Sequence, residues 1–391
     1  MIKKIEDLNL NNKKVIIRCD FNVPMEDGKI IDDTRIKEAI KTINYALSKN
    51  ASVILMSHLG RIKTKEDKEK NSLREVAKRL EELLERPVIF IDETHGKKLE
   101  EACKNLKNGE VLLMENTRFE DLDGKKESNC DEELSKYWAS LGDIFIDDAF
   151  GCSHRKAASN VGISKYLETG IGFLMEKEVR VLSELNTPER PYTIILGGKK
   201  VSDKIGVIKT LVEKADYILI GGGMAFTFLK AEGFNVGSSV VDNDMLDFCR
   251  EILDKYEEKI MLPVDIVTVK EFKNTGNYEM KDITQLDLDD IGVDIGKRTV
   301  KNFEKVIRKS KTIFWNGPLG VYEFSYFRKA TEDTLKYIVK ENVKTVLGGG
   351  DIVGCASLLG LKDKVCFAST GGGASLEYLE GKALPALNIK K

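Results

Sequence analysis

Two kinds of residue stop the apolar runs of this chain, and they divide it in half. In the second half the stops are glycines: Gly197–Gly198 after YTIIL, Gly221–Gly223 after DYILI, Gly348–Gly350 after KTVL and Gly371–Gly373 after VCFAST. In the first half they are cations. VIIR reaches Arg18, VILM leads to His58 and Arg61, VLLM leads to Arg118, and IFIDDAF leads to His154 and Arg155; Arg35 follows the turn at Asp32–Asp33. Glycine lets backbone approach a ligand with no Cβ in the way. A helix that starts at such a loop turns its free N–H groups on an anion. Arginine suits bidentate recognition of phosphate and carboxylate. The chemistry these residues suggest is phosphoryl transfer, from a nucleotide bound by the second half to a small, strongly anionic substrate bound by the first.

A single arginine at a strand end is more often one half of a surface ion pair; here the recurrence of basic groups carries the argument. Asp351, directly after Gly348–Gly350, reads equally as a Mg2+ ligand or a helix N-cap. GVDIGKR (292–298) has a Gly-Lys pair but neither the spacing nor the Ser/Thr of a P-loop, and the protein-kinase motifs are absent. His95, in DETHGKK, reads as a loop histidine near a helix start.

The elements that must position these groups alternate from end to end. Strand candidates in the first half are VIIR (15–18), SVILM (52–56), PVIF (87–90), VLLM (111–114) and IFID (144–147). Those in the second are YTIIL (192–196), YILI (217–220), IMLPVDIVTV (260–269), TIFW (312–315), TVLG (345–348) and VCFA (365–368). Helical patterns lie between them, such as SLREVAKRLEELLE (72–85) and DEELSKYWASL (131–141). Such alternation predicts an α/β protein whose parallel sheets are covered on both faces, with ligands at the carboxyl ends of the strands. GFLMEKEVRVLSELN (172–186) reads as one helix ended by Pro188 and Pro191, and the domain boundary is expected within it. The charge run KTKEDKEK (63–70) reads as a solvated loop.

Composition narrows the partners. A chain of 391 residues is long for one core, so two domains are expected. The net charge of −2 argues against nucleic acid or a membrane surface as the main partner. MIKKIEDLNL is too charged for a signal peptide, and no apolar run approaches the ~20 residues of a spanning helix. The seven cysteines are scattered without zinc spacing and read as reduced thiols of a cytoplasmic protein.

Ten segments together resemble phosphoglycerate kinases over essentially the whole chain, in the family's order and spacing. They are RCDFNVP (18–24), SHLGR (57–61), ENTRF (115–119), DDAFG (147–151), GFLMEKE (172–178), LGGKKVSDKI (196–205), GGGMAFTFL (221–229), WNGPLGVYE (315–323), GGGD (348–351) and STGGGASLEYLEGK (369–382). The resemblance implies two doubly wound, Rossmann-like domains with a wide cleft. It divides the chain into a 3-phosphoglycerate domain (1–171), a connecting helix (172–186), a nucleotide domain (187–374) and a segment (375–391) that packs back on the first domain. It implies Mg2+-dependent, reversible phosphoryl transfer between 1,3-bisphosphoglycerate and ADP, giving 3-phosphoglycerate and ATP, by a monomer that closes about its hinge.

By resemblance, Asp20, Phe21 and Asn22 meet the hydroxyl and carboxylate end of the substrate. His58, Leu59, Gly60, Arg61, Arg118 and Arg155 surround its non-transferring phosphate, and Arg35 reaches the transferring group. Gly198, Lys200 and Lys204 serve the nucleotide phosphates, Lys200 nearest the group in transfer. Gly221, Gly222 and Gly292 line the adenine pocket and Glu323 meets the ribose. Asn316, Gly349, Gly350, Asp351 and Ile352 lie at the triphosphate, Asp351 as the Mg2+ ligand, and Gly371, Gly372 and Gly373 aim amides at the transferring phosphoryl. The acceptor is a carboxylate, already a nucleophile, so no general base is expected. The chain departs from the family pattern at Lys199, Ala157 and Ile352 and in the loop after Arg61. Two other readings are a catalytically silent nucleotide-binding scaffold and a kinase for another small carboxylate. The presence of Arg35, Lys200, Lys204 and Asp351 argues against the first, and the His58, Arg61, Arg118 and Arg155 set against the second.

Overall fold

The computed structural model describes residues 2–388. The chain forms two compact units, one running to Arg180 with the segment from Ala383, the other spanning Val181–Lys382. The division falls inside the helix Phe173–Glu184.

The first unit is built on six parallel strands. Their order across the sheet is Val88–Ile91, Val111–Met114, Ser52–Met56, Lys14–Arg18, Ile144–Asp147 and Glu168–Ile171. Alternate side chains enter different cores, as expected for a sheet covered on both faces. Val15, Ile17, Val53, Leu55, Val111 and Leu113 join the helices Thr34–Ser48 and Arg74–Leu84 on one side. Ile16, Ile54, Met56, Leu112, Met114 and Phe145 join Leu99, Cys103 and Trp138 on the other. Trp138 is fully buried, and its indole N–H donates to the Thr94 carbonyl at 2.7 Å. The charge run at 63–70, expected as a loop, contains a short helix, Lys65–Lys70, with no buried residue. Thr64 caps it, and Asp67 accepts the Lys63 and Thr64 N–H groups at 2.8 and 3.0 Å.

The second unit repeats the plan in the order Ile260–Met261, Tyr217–Ile220, Tyr192–Leu196, Thr312–Asn316, Lys344–Leu347 and Phe367–Ala368, again all parallel. The apolar run 260–269, expected as one strand, is broken after Met261, beside Pro263, which has no N–H for a ladder. Its second part, Asp265–Val269, leaves the parallel sheet. It lies antiparallel between Glu279–Asp282 and Ile291–Ile295, a small sheet that the alternation pattern did not announce. Asp265 then caps the helix Lys297–Ile307, accepting from the Arg298 and Thr299 N–H groups at 3.0 and 2.8 Å.

The helix Gly373–Leu379 packs on Ile205–Lys214 within the second unit, and the Tyr378 and Ser183 hydroxyls share a 2.6 Å hydrogen bond. The chain rejoins the first unit only from Ala383, later than the expected residue 375. There the Ala386 N–H donates to the Ser153 carbonyl at 3.1 Å. Residues 389–391 of the expected returning segment lie outside the described residues.

The start of the Phe173–Glu184 helix is capped from another element. Asp148, fully buried, accepts the Leu174 and Met175 N–H groups at 2.9 and 3.1 Å. A Cβ on Gly172 would lie 2.3 Å from the Asp148 carboxyl, so only glycine allows this approach. Asp148→Ala strands both donors and is expected to cost about 2 kcal/mol; an unchanged urea midpoint would show that the cap contributes nothing.

Candidate active site

In the first unit the strand ends bring their cations together. Arg18 ends its strand with 2% exposure, and His58 follows the adjacent strand with 6%. Burial holds the His58 imidazole well below the usual histidine range, and the charges of Arg18, Arg118, Arg35 and Arg155 push it the same way. Four guanidinium charges therefore act on this ring, and Arg18 Nη2 lies 3.1 Å from its Nδ1. The nearest donor atoms of Asp20, His58 and Cys152 all lie within 4.8 Å of one another. The surrounding arginines make this an anion site rather than a cation site.

Backbone bracing fixes the loops that carry these groups. Asn116, fully buried, accepts the Leu59 and Arg118 N–H groups at 3.1 and 3.0 Å and donates to the Leu59 carbonyl at 2.7 Å. The Phe21 N–H donates to Ser57 Oγ at 2.8 Å, and the Gly60 N–H donates to Asn22 Oδ1 at 2.8 Å. Phe21 and Leu59 are buried, so their backbones shape the site while their side chains join the core. Arg118 donates to the Gly60 carbonyl. Arg35 Nη1 donates to Asp20 Oδ2 at 2.8 Å, with the arginine side chain 32% exposed. Arg155 is exposed and donates from Nε to His154 Nε2 at 3.1 Å. Arg61 is exposed, and its place beside the cluster follows only from its neighbour Gly60. His95 accords with the loop reading: Nδ1 lies 2.6 Å from Glu120 Oε1, with the ring largely in solvent.

In the second unit the glycine loops sit along one rim, but their glycines serve two purposes. Some permit internal packing. A Cβ on Gly221 would lie 2.6 Å from Leu319 Cδ2, one on Gly222 (φ 65°) 2.6 Å from the Gly198 nitrogen, and one on Gly292 1.9 Å from Phe226 Cζ. A side chain at any of these three positions, expected to line an adenine pocket, would collide with the chain itself, so these glycines let neighbouring segments approach as well as leaving backbone bare. Around Gly350, Gly372 and Gly373 there is open space instead.

Three polar groups link these loops. Lys204 Nζ donates to Asn316 Oδ1, and Asn316 Nδ2 donates to the Gly348 carbonyl. Burial lowers the Lys204 ammonium below its usual range, opposed by Asp351 and Asp203. Asp351 is exposed in the first turn of the helix Gly350–Leu358, whose N-cap Gly349 offers no side-chain cap. Ile352 is fully buried among Trp315 and Leu347, so only its amide faces the loop. Burial raises the Tyr322 phenol, and Asp351 and Glu323 add to the rise, which brings Glu323 to the same neighbourhood. Lys200 is exposed, and its charge helps hold Asp242 below the usual carboxylate range, behind the larger effect of the Ser202 hydrogen bonds.

The comparisons with known proteins agree along the whole chain. A family model described as phosphoglycerate kinase matches residues 5–382. A phosphoglycerate kinase of Fusobacterium nucleatum subsp. nucleatum is 55% identical over 99% of this chain and 98% of its own length. One from Macrococcus caseolyticus is 53% identical with the same coverage. The phosphoglycerate kinase structure from Coxiella burnetii superposes with a TM-score of 0.87 at 37% identity, over 100% of this chain and 98% of that one. The chain belongs to the phosphoglycerate kinase family. It is accordingly a phosphotransferase that uses small-molecule substrates, a nucleotide among them, and its two α/β units have the family's fold. Among the described residues no helix is long and apolar enough to cross a membrane.

Buried acidic and polar residues lie behind the cluster of the first unit. Glu127 and Ser159 lie buried behind Arg18, and nothing in their local sequence marks them. Asp147 stands at the next strand end; burial pushes its carboxyl up to about 7, against the Ala149 N–H and Arg18. Its unfolded counterpart ionises near ~4. Between those two values the folded state holds a proton that the unfolded state releases, so this group makes stability fall as pH rises from about 4 to about 7. Asp147→Asn removes that dependence. Urea midpoints across this window should fall less steeply for the variant, and parallel profiles would refute the assignment.

Proposed function

We propose that the chain transfers a phosphoryl group reversibly between 1,3-bisphosphoglycerate and ADP, giving 3-phosphoglycerate and ATP, as a cytoplasmic monomer. The observation that carries this reading is the set of Arg18, Arg35, Arg118 and Arg155 around His58 and Asp20, opposite in kind to the glycine loops of the second unit. A substrate with its own phosphate fits the first. In our reading His58, Arg61, Arg118 and Arg155, with the Leu59 and Gly60 backbone, take the non-transferring phosphate. Asp20, Phe21 and Asn22 orient the glyceryl hydroxyl and carboxylate, and Arg35 leaves Asp20 for the transferring group.

On the nucleotide side the proposal gives Gly198, Lys200, Lys204, Asn316 and the Gly349–Ile352 amides to the phosphates, Gly221, Gly222 and Gly292 to the adenine pocket, and Glu323 to the ribose. Asp351 fits a hard cation: it is an exposed carboxylate beside the open space at Gly350. It would hold Mg2+, which when bound neutralises phosphate charge. The carboxylate acceptor attacks phosphorus directly, and the leaving nucleotide oxygen takes the electron pair of the broken bond. No proton moves, so catalysis is positioning and charge stabilisation by Arg35, Lys200 and the Gly371, Gly372 and Gly373 amides.

Transfer also demands exclusion of water. With one substrate on each unit, we infer closure about the helix Phe173–Glu184 and the 382–383 crossing when both are bound. X-ray scattering should show compaction only with both substrates present; identical curves would reject closure.

Arg35→Ala is expected to lower kcat on the order of 10³-fold or more, as for an arginine acting in the transition state, with nucleotide Kd nearly unchanged. Turnover near that of the wild type would remove Arg35 from the mechanism. The coupled assay with 3-phosphoglycerate, ATP and Mg2+ tests the function itself, with unphosphorylated glycerate as the control expected to react poorly.

A further inference from the structure

Arg18 is the most buried of the clustered arginines, and its donors are spent inside the protein. Nε donates to Ser159 Oγ at 2.8 Å, Nη1 donates to the Cys19 carbonyl, and Nη2 lies 3.1 Å from His58 Nδ1 and 3.8 Å from Cys152 Sγ. Behind Ser159 stands Glu127, 2% exposed in a stretch otherwise rich in solvated charge. Its carboxylate accepts the Ser159 N–H at 2.9 Å on one oxygen and the Ser159 hydroxyl on the other.

Burial raises the Glu127 carboxyl, opposed by the Arg18 charge and the Ser159 hydrogen bonds; with Glu127 ionised, every direction in this chain of bonds is forced. A carboxylate accepts only, and a guanidinium donates only. The single Ser159 hydroxyl proton therefore goes to Glu127, and the oxygen lone pair receives Arg18 Nε–H. At the far end Arg18 Nη2 can only donate, so His58 Nδ1 must carry its lone pair and Nε2 its proton. Cys152 supports the same assignment. Burial pushes its thiol up to about 12, so the sulfur beside Nδ1, at 3.6 Å, keeps its proton and is a second donor.

We propose that Glu127 and Ser159 are positioning residues for the substrate's phosphate: through Arg18 they fix His58 in the tautomer that donates from Nε2. The proposal rests on reading the His58–Arg118–Arg155 cluster as the phosphate site. A neutral histidine free to change tautomer would present a lone pair to phosphate oxygen for part of the time, a repulsive contact. The relay removes that state before the substrate arrives, which is preorganisation by a fixed dipole. It gives a buried acid and a buried serine, neither able to reach the substrate, an effect on its affinity.

The test combines kinetics with nitrogen-15 NMR of the His58 ring in the full-length enzyme. Ser159→Ala cuts the relay with little change in volume. It should raise KM for 3-phosphoglycerate about tenfold, leave KM for ATP and kcat within about twofold, and move the Nδ1 and Nε2 signals toward those of mixed tautomers. Ser159→Thr keeps the hydroxyl and should restore both the wild-type KM and the ring signals. Glu127→Gln, whose amide N–H₂ opposes a donor, should behave like Ser159→Ala. Thermal unfolding of each variant confirms that it is folded. A Ser159→Ala enzyme with an unchanged KM, or with a raised KM but unchanged ring signals, overturns the proposal. Arg118→Ala separates this from the underlying reading: if it too leaves KM for 3-phosphoglycerate unchanged, the phosphate site itself has been misplaced and the proposal falls with it.

Discussion

Parallel strand pairing is the constraint on which both half-sites depend. Every pairing in the two six-stranded sheets is parallel. Parallel neighbours require crossover connections, and these place all carboxyl ends on one rim with helix starts just beyond it. Residues far apart in the chain, such as Arg18, His58, Arg118 and Arg155, meet because each follows a strand pointing the same way. The same geometry assembles Gly198, Gly222, Asn316 and Gly349 from separate strands of the second unit.

The two rims solve different electrostatic problems with different materials. A small phosphorylated acid, the ligand we propose for the first unit, offers little surface but several charges, and the concentration of guanidiniums there suits it. It then has to keep them from repelling one another, and it does so with buried acceptors: Asp20 beside Arg35, and Glu127 behind Arg18. A nucleotide, the ligand we propose for the second unit, offers surface as well as charge and needs fewer cations. Its polar contacts run through Lys204, Asn316 and backbone, which leaves the loops close-packed on one another. Glycine at these strand ends therefore answers two demands. It allows loop to touch loop at Gly221 and Gly222, and it leaves room at Gly350 and Gly373.

What could be read from the sequence followed from how local the determining interaction is. SVILM, VLLM, IFID, YTIIL and YILI are strands at the expected residues, because each is a short buried run whose period and neighbours agree. The departure of Asp265–Val269 into an antiparallel sheet was not legible, since it depends on partners at 279–282 and 291–295 whose runs are short or polar. The cations of the first half were legible as a set, but their division of labour was not. Arg18 reads like Arg118 in sequence; only burial shows that its bonds face inward. Glu127 sits in KKESNCDEE, where an acid normally meets water, and its importance comes from Ser159, more than thirty residues away.

Burial also decides which arginines can serve chemistry that needs movement. Arg35 is a third exposed, so water can solvate its guanidinium when it leaves Asp20, while the buried Asp20 carboxylate needs a replacement partner for that exchange. Moving Arg18 would break its bonds to Ser159 and the Cys19 carbonyl and remove the positive charge nearest the buried Glu127, a cost of several kcal/mol. Arg18 is thereby held in place, whereas the movement we propose for Arg35 starts from a partly exposed side chain at the same rim. In phosphoryl transfer to a carboxylate there is no proton for a base to remove. The work left to the protein is positioning and charge stabilisation, and in the mechanism we propose some charges are held still while Arg35 moves with the reacting group. The graded burial of these arginines, set by Glu127 and Ser159 at one end and by solvent at the other, supplies that distinction without any change of residue type.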